Sequence, residues 1–244
     1  MRRATSIHRS PFTTHQARIF VASLALLLAA GTSALAAEEI RVIETRSIPI
    51  EHVPVTNGAS HEFRVSLYTF SGTRWSREEI AAAVLKAAGL LAQCGVALSG
   101  AEVRVVEAPR RYRFYNTPVS RELLRRIKVD KPAIFFVDDT HNNPAFEAEA
   151  IGRKNARTQP ELADTVWVTH GARDLPQTLA HELVHVLSNN GGHSDEPGNL
   201  MRAHTSWRNT HLNDWQCARL RLRGEANGLL AVRPGASREQ RQGN

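Results

Sequence analysis

The pattern of apolar and polar positions predicts a chain that alternates between short strands and amphipathic helices. From His61 to Phe70, apolar residues recur at about every second position, which is typical of a β-strand with one buried face. The run Ala133–Val137 is apolar throughout, which indicates a strand buried inside a sheet. Shorter apolar runs predict three more strands, at 103–106, 146–152 and 164–169.

Helix signals lie between and after these strands. Ser76–Glu79 has the form of a capping box, and it opens a predicted helix that ends at Gly95. A shorter amphipathic helix is predicted over 120–127, and a last helix over 212–224. The order of elements predicts an α/β fold with one mixed sheet.

The most informative predicted helix starts at Asp174. We expect Asp174 to cap this helix, Pro176 to fit its first turn and Gln177 to complete a capping box. The segment Asn189–Gly192 is expected to end the helix, because Asn and Gly accept left-handed backbone conformations.

This helix carries the sequence His181-Glu182-Leu183-Val184-His185. Residues four positions apart lie on one face of a helix, so His181 and His185 can bind one metal ion from the same side. Glu182 can then accept a proton from a water molecule in the same cleft. His193 would complete a set of three ligands and leave one open position on a tetrahedral zinc ion. The alternative is an ordinary helix in which two histidines occur by coincidence.

The N-terminal segment has the features of a signal peptide. Arginines precede a short apolar run, and Ala34-Leu35-Ala36 suits a cleavage site. We therefore expect residues 1–36 to be removed and the protein to be exported, to a bacterial periplasm or the exterior, without stable membrane insertion. An uncleaved membrane anchor is the alternative. The predicted division of the remaining chain is an extended segment at 37–60, a catalytic domain at 61–228 and a flexible tail at 229–244.

Charge and cysteine content refine this description. The formal net charge is +7, and loss of the four arginines in residues 1–36 would leave about +3. No basic patch is interleaved with aromatic residues, so nucleic-acid binding is not expected. The two cysteines, Cys94 and Cys217, predict a disulfide in an exported protein, with two separate buried thiols as the alternative.

The His-Glu-x-x-His motif followed by Met201 resembles the metzincin clan of zinc endopeptidases over about Phe63–Gly224. The resemblance implies a single catalytic domain with a twisted five-stranded sheet over two long helices and a small C-terminal helical part. It implies zinc bound by His181, His185 and His193. It also implies Glu182 as general base and then proton donor, and Met201 as the residue of the Met-turn beneath the metal. The strand at 146–152 would pair with an extended peptide substrate.

The chain departs from the clan pattern at the third ligand. Ser188 stands at the glycine position and Gly191 at the histidine position, so His193 comes two residues late. If His193 is not the ligand, Asp195 or Glu196 would substitute for it.

Other departures also bear on the ligand set. His204 is a weaker candidate ligand, because it lies beyond Met201. Ala203 excludes the tyrosine ligand of astacin-like and serralysin-like members, so no single subfamily matches. In a gluzincin-like arrangement, Glu225 would be the third ligand instead.

The predicted function is hydrolysis of peptide bonds by a secreted or periplasmic zinc endopeptidase, through a zinc-activated water with Glu182 as general base. The protein is expected to act as a monomer on peptides or proteins. The alternatives are a zinc hydrolase for a non-protein amide and a catalytically silent zinc-bearing binding protein. His141 and His170 are expected to be ordinary histidines rather than oxyanion ligands. The pair Asp138 and Asp139 is a weak calcium candidate.

Overall fold

The computed structural model describes residues 39–50 and 58–235, which belong to one compact unit. The predicted signal peptide at 1–36 lies outside the described residues, as does the end of the predicted tail. Within the described ranges, no helix is both long and apolar enough to cross a membrane.

A mixed sheet of seven strands forms the centre of the fold. Its strand order is β1-β3-β2-β5-β8-β7, and β9 pairs with the start of β2. The inner strands β3, β2, β5 and β8 are parallel, whereas β1 and β7 run antiparallel at the two edges. A separate pair of short strands is formed by β4 and β6. The strands are β1 Arg41–Ser47, β2 His61–Phe70, β3 Val96–Glu107, β4 Phe114–Tyr115, β5 Ala133–Val137, β6 Asp139–Thr140, β7 Ala148–Ile151, β8 Thr165–Thr169 and β9 Ala231–Val232.

Four α-helices accompany the sheet: α1 Arg77–Leu91, α2 Thr117–Arg126, α3 Leu175–Ser188 and α4 Asp214–Ala226. As predicted, the Ser76 side chain caps α1 by accepting a hydrogen bond from the Glu79 amide (3.1 Å). The start of α4 has a capping box between Asn213 and Gln216 that the sequence analysis did not single out.

The predicted capping box of α3 is wrong. Asp174 does precede the helix, but its side chain makes no capping hydrogen bond. Its carboxylate instead accepts a hydrogen bond from the backbone amide of Trp207 (3.0 Å). The contact ties the start of α3 to a distant loop, which local sequence signals do not reveal.

Each face of the sheet packs against a separate apolar cluster. On one face, Ile134, Phe136, Val166 and Val168 belong to the same cluster as the buried residues of α1 and α3. On the other face, Trp167 stacks on Phe135 (ring centroids 4.2 Å apart), which stacks in turn on Tyr68. These layers confirm the predicted α/β class, with a mixed sheet over two long helices and a C-terminal helix.

The predicted disulfide between Cys94 and Cys217 is confirmed. Cys94 lies in a short 3-10 turn directly after α1, and Cys217 lies in α4. The bond therefore joins the first long helix to the last one across 123 residues of chain.

Several predicted boundaries differ from the structure. The strand predicted at 103–106 spans 96–107, and the sheet has seven strands instead of the five that the resemblance implied. Part of the segment at 37–60 forms β1 on the sheet edge. The predicted flexible tail begins too early, because Leu229 and Leu230 are buried and β9 pairs with β2.

Candidate metal centre

Helix α3 brings His181 and His185 together on its buried side. The two Nε2 atoms lie 2.9 Å apart, and the ring planes are nearly perpendicular (80°). This is the arrangement expected from a four-residue spacing on a helix.

Backbone carbonyls fix the orientation of both rings. His181 Nδ1 lies 2.8 Å from the carbonyl oxygen of Leu200, and His185 Nδ1 lies 2.6 Å from that of Asn190. A carbonyl oxygen only accepts hydrogen bonds, so each Nδ1 carries the proton and donates it. Each Nε2 therefore presents a lone pair to the other, as in metal-binding histidines held by outer partners.

Both imidazoles are held in the neutral form. Burial, as the main cause, and the nearby His185 and His193 lower the pKa of His181 to about 4, although the hydrogen bond to the Leu200 carbonyl opposes this change. Burial also lowers the pKa of His185. Two neutral rings with lone pairs facing each other repel, unless a cation lies between them. Two nitrogen ligands of a tetrahedral zinc ion would be about 3.3 Å apart, so the two Nε2 atoms are close enough for one metal ion to bind both.

His193 joins this pair. Its ring centroid lies 5.4 Å from that of His181 and 5.1 Å from that of His185. One nitrogen from each of the three rings can be chosen so that all lie within 4.8 Å of one another. Among the residues that the structure describes, this is the one such group of three potential ligands.

As predicted, the segment Asn189–Gly192 ends the helix through a left-handed residue. Asn189 adopts a left-handed conformation (φ 47°) and closes α3, whereas Gly191 and Gly192 do not have positive φ values. The amide of Ser194, directly after His193, donates to the carbonyl of Met201 (2.7 Å). These contacts place His193 opposite the helix, although it comes two residues later in the sequence than the third histidine of the metzincin pattern.

Met201 is buried beneath the centre, in a loop that Asn199 organises. The Asn199 side chain is fully buried and accepts a hydrogen bond from the Met201 amide (2.9 Å). It also bonds the Gln216 side chain at the start of α4. Since the carbonyl of Leu200 holds His181, this loop helps to orient a candidate metal ligand.

Glu182 lies next to the first histidine and is 8% exposed. Burial, as the main cause, and the negative charge of Glu149 together raise its pKa to about 8, against the opposing effect of a backbone hydrogen bond from Ala150. A carboxyl with a raised pKa holds a proton more readily than an ordinary glutamate, as a general base at neutral pH must do.

The three histidines and Glu182 face a cleft of about 830 Å³. Strand β7 forms one wall, α3 forms the floor, and residues 203–206 after Met201 form part of the other wall. The amide of Thr169 donates to the carbonyl of Glu147 (2.9 Å), so backbone groups at 147 and 149 face β8. By strand alternation, those of Ala148 and Ala150 face the cleft.

The other candidate ligands lie elsewhere. The carboxylate of Glu196 accepts hydrogen bonds from Asn199 and Asn213, and Asp195 is not part of the group of three. His204 lines the cleft but does not join the group. Glu225 hydrogen-bonds Nε2 of His61 (3.2 Å), which does not support the gluzincin-like alternative.

Three further candidates have structural partners. His141 stacks on Phe114, and the ring of His170 lies 4.9 Å from that of Trp75. The carboxylate of Asp138 pairs with Arg113 (2.8 Å), which does not favour calcium at that position.

Sequence reasoning missed several residues around the cleft. The backbone carbonyls of Asn190 and Leu200 could not be singled out from the sequence, because every residue has a backbone carbonyl. Glu149 had a signal, since it lies at the centre of the predicted edge strand. Arg219 of α4 lines the cleft beside His193, and only the fold brings it there.

No protein-family profile and no curated protein sequence matches the chain. A solved structure that it resembles is the crystal structure of metalloproteinase-II from Bacteroides fragilis, with 18% sequence identity and a TM-score of 0.47. The similarity covers 71% of this chain and 56% of that one, so this chain spans little more than half of that protein's length.

Proposed function

We propose that the protein is a secreted or periplasmic zinc-dependent endopeptidase related to the metzincin clan. The observation that carries the proposal is the convergence of three histidine nitrogens within 4.8 Å beside a buried glutamate in an open cleft. A metal site with three protein ligands and access to solvent is typical of catalytic rather than structural zinc.

His181, His185 and His193 would hold the metal as neutral imidazoles. Imidazole nitrogen suits zinc, although copper, iron and nickel also accept it. When bound, zinc would supply Lewis acidity, which lowers the pKa of a water molecule and polarises the scissile carbonyl. The carbonyls of Leu200 and Asn190 keep both helix rings in the tautomer that this binding requires.

Glu182 would move the proton. As general base, its carboxylate accepts a proton from the attacking water, and it then donates that proton to the nitrogen of the leaving amine. Its burial and the nearby Glu149 favour the protonated state that follows the first step.

Strand β7 would bind the substrate. The backbone groups of Ala148 and Ala150 face the cleft, so an extended peptide can add to this sheet edge by main-chain hydrogen bonds. An antiparallel peptide would have its amino end near Gly152 and its carboxyl end near Glu147.

The test is mass spectrometry of a diverse peptide library after incubation with the zinc-loaded protein. Glu182→Ala and a chelator-treated sample serve as controls. We expect cleavage within peptides by the parent alone. A zinc-loaded parent that cleaves no peptide would contradict the proposal and favour a non-protein amide or a binding role.

A further inference from the structure

Charged side chains are distributed unevenly along the cleft. Near the C-terminal end of β7, the cleft is lined by Lys154 and Arg219, and no acidic residue among the described residues lines that end. Near the N-terminal end of β7, acidic residues predominate. That end is lined by Glu147, Glu149, Asp174 and a single cation, Arg173.

Arg219 projects from α4 to the boundary between two cavities. One is the main cleft, and the other is a cavity of about 240 Å³ on the far side of His193. The guanidinium carbon lies 5.4 Å from the ring centroid of Trp215, whose side chain is 61% exposed. The stacked ring restricts Arg219 without neutralising its charge.

Arg219 has no acidic partner among the residues that the structure describes. None of the ion pairs found among the described residues includes it. Its Nε atom is buried and has no hydrogen-bond partner. Because Nε is enclosed, a ligand carboxylate would be bound by the terminal nitrogens of this guanidinium, which lines both cavities.

We propose that Arg219, assisted by Lys154, forms a subsite for a glutamate side chain on the amino-terminal side of the scissile bond. The inference rests on the proposed peptidase function. For a peptide that adds antiparallel to β7, as β8 does on the other edge of that strand, the amino end lies where β7 ends, beside Asn190, His193 and Arg219.

The chemistry of the second cavity favours glutamate. The planar guanidinium can bind both oxygens of a carboxylate. Val184, Met201 and Trp215 line the adjoining cavity and offer apolar contact to the methylene groups of the same side chain. The subsite therefore combines a cation with an apolar wall.

The test measures peptide binding without turnover. Zinc-loaded Glu182→Ala protein is titrated into fluorescein-labelled heptapeptides of neutral sequence, in which Glu, Gln or Lys is placed at each position in turn. Fluorescence anisotropy gives the Kd values. We expect about tenfold tighter binding of a Glu peptide than of its Gln counterpart at one position, and a smaller ratio at high salt.

Arg219→Glu and Arg219→Gln, each added to the Glu182→Ala protein, test the residue itself. Arg219→Gln should remove the Glu preference, and Arg219→Glu should convert it into a Lys preference. Arg208→Glu is the matched control, because Arg208 stacks on the exposed Trp207 (4.9 Å) but does not line the cleft. It should leave the ratio unchanged.

The outcomes separate this inference from the proposed function. Equal binding of Glu and Gln peptides, or a Glu preference that survives in both Arg219 variants, would overturn the subsite. If the parent cleaves library peptides and shows no such preference, only the subsite is wrong. If the preference is present and no peptide is cleaved, Arg219 does bind a glutamate side chain, but the placement of that site relative to a scissile bond fails together with the peptidase proposal.

Discussion

Two backbone carbonyls decide which nitrogen of each helix histidine is available to a metal. Leu200 and Asn190 hold the Nδ1 atoms of His181 and His185, so both Nε2 lone pairs point into one space. Because burial also lowers both pKa values, protonation competes less with metal binding at those lone pairs. Metal binding is therefore favoured by the tautomer and the charge state as well as by the spacing of the motif.

His193 should be the third metal ligand. We expect His193→Ala to weaken zinc binding by more than about 100-fold, since loss of a direct ligand costs more than loss of an outer partner. His204→Ala is the matched control, because His204 lines the same cleft outside the group of three. Competition with a chromophoric chelator measures both affinities. Equal zinc affinity in the parent and His193→Ala would place the third ligand elsewhere.

Glu182 should be needed for turnover and not for metal binding. We expect Glu182→Gln, which keeps the size of the side chain, to retain one zinc ion per chain and to lose about 100- to 10,000-fold in kcat. Zinc content by elemental analysis and the cleavage rate of one peptide check the two parts separately. Unchanged kcat would remove Glu182 from the mechanism.

At the scale of single residues, the sequence predicted which side chains meet in the candidate site better than it predicted the backbone contacts that hold them in place. The spacing of His181 and His185 is encoded directly, because a helix repeats every 3.6 residues. The approach of His193 depends on the left-handed Asn189 and on the contact from Ser194 to Met201, which are tertiary features.

The end of α3 and the end of strand β7 meet at one residue. Asn189 ends the helix in a left-handed conformation, and its side-chain oxygen accepts a hydrogen bond from the Lys154 amide just after β7 (3.3 Å). Asn189 therefore connects the helix that carries the candidate metal ligands to the strand whose backbone faces the cleft.

Replacement of Asn189 should separate backbone strain from side-chain bonding. We expect Asn189→Val to lower the free energy of unfolding by about 1–2 kcal/mol or more, because a β-branched residue is strained at positive φ. Asn189→Gly should cost less, since glycine adopts this conformation readily. Urea denaturation followed by circular dichroism measures both. Equal stability of the two variants would show that backbone strain is not the controlling factor.

Elements with a strong local signal were predicted well, and those that depend on distant partners were not. The start of α1 follows from Ser76, whose cap is local. The sequence predicts that Asp174 caps α3, but its carboxylate accepts a hydrogen bond from the backbone amide of Trp207 in another loop. Strand β9 has only two residues and exists because β2 offers a partner.

For the whole molecule, the disulfide connects the parts that carry the site. Helix α3 packs against both α1 and α4, and the bond from Cys94 to Cys217 links α1 to α4 directly. The even number of cysteines and the expected export of the protein predicted the disulfide bond. Only the fold shows which helices the bond joins.

Removal of the disulfide should destabilise the fold substantially. For a loop of 123 residues, the chain-entropy model gives a loss of about 4–5 kcal/mol in the free energy of unfolding. The double variant Cys94→Ser and Cys217→Ser, compared with the oxidised parent in urea denaturation, measures this loss. An unchanged midpoint and slope would show that the bond contributes little to stability.

The most direct test of the central claim is the initial rate of peptide cleavage as zinc is added to metal-free protein. We predict no cleavage without metal, a linear increase with added zinc and a plateau at one equivalent per chain. Cleavage by the metal-free protein, or none at any zinc ratio, would contradict the assignment of His181, His185, His193 and Glu182 as a hydrolytic zinc centre.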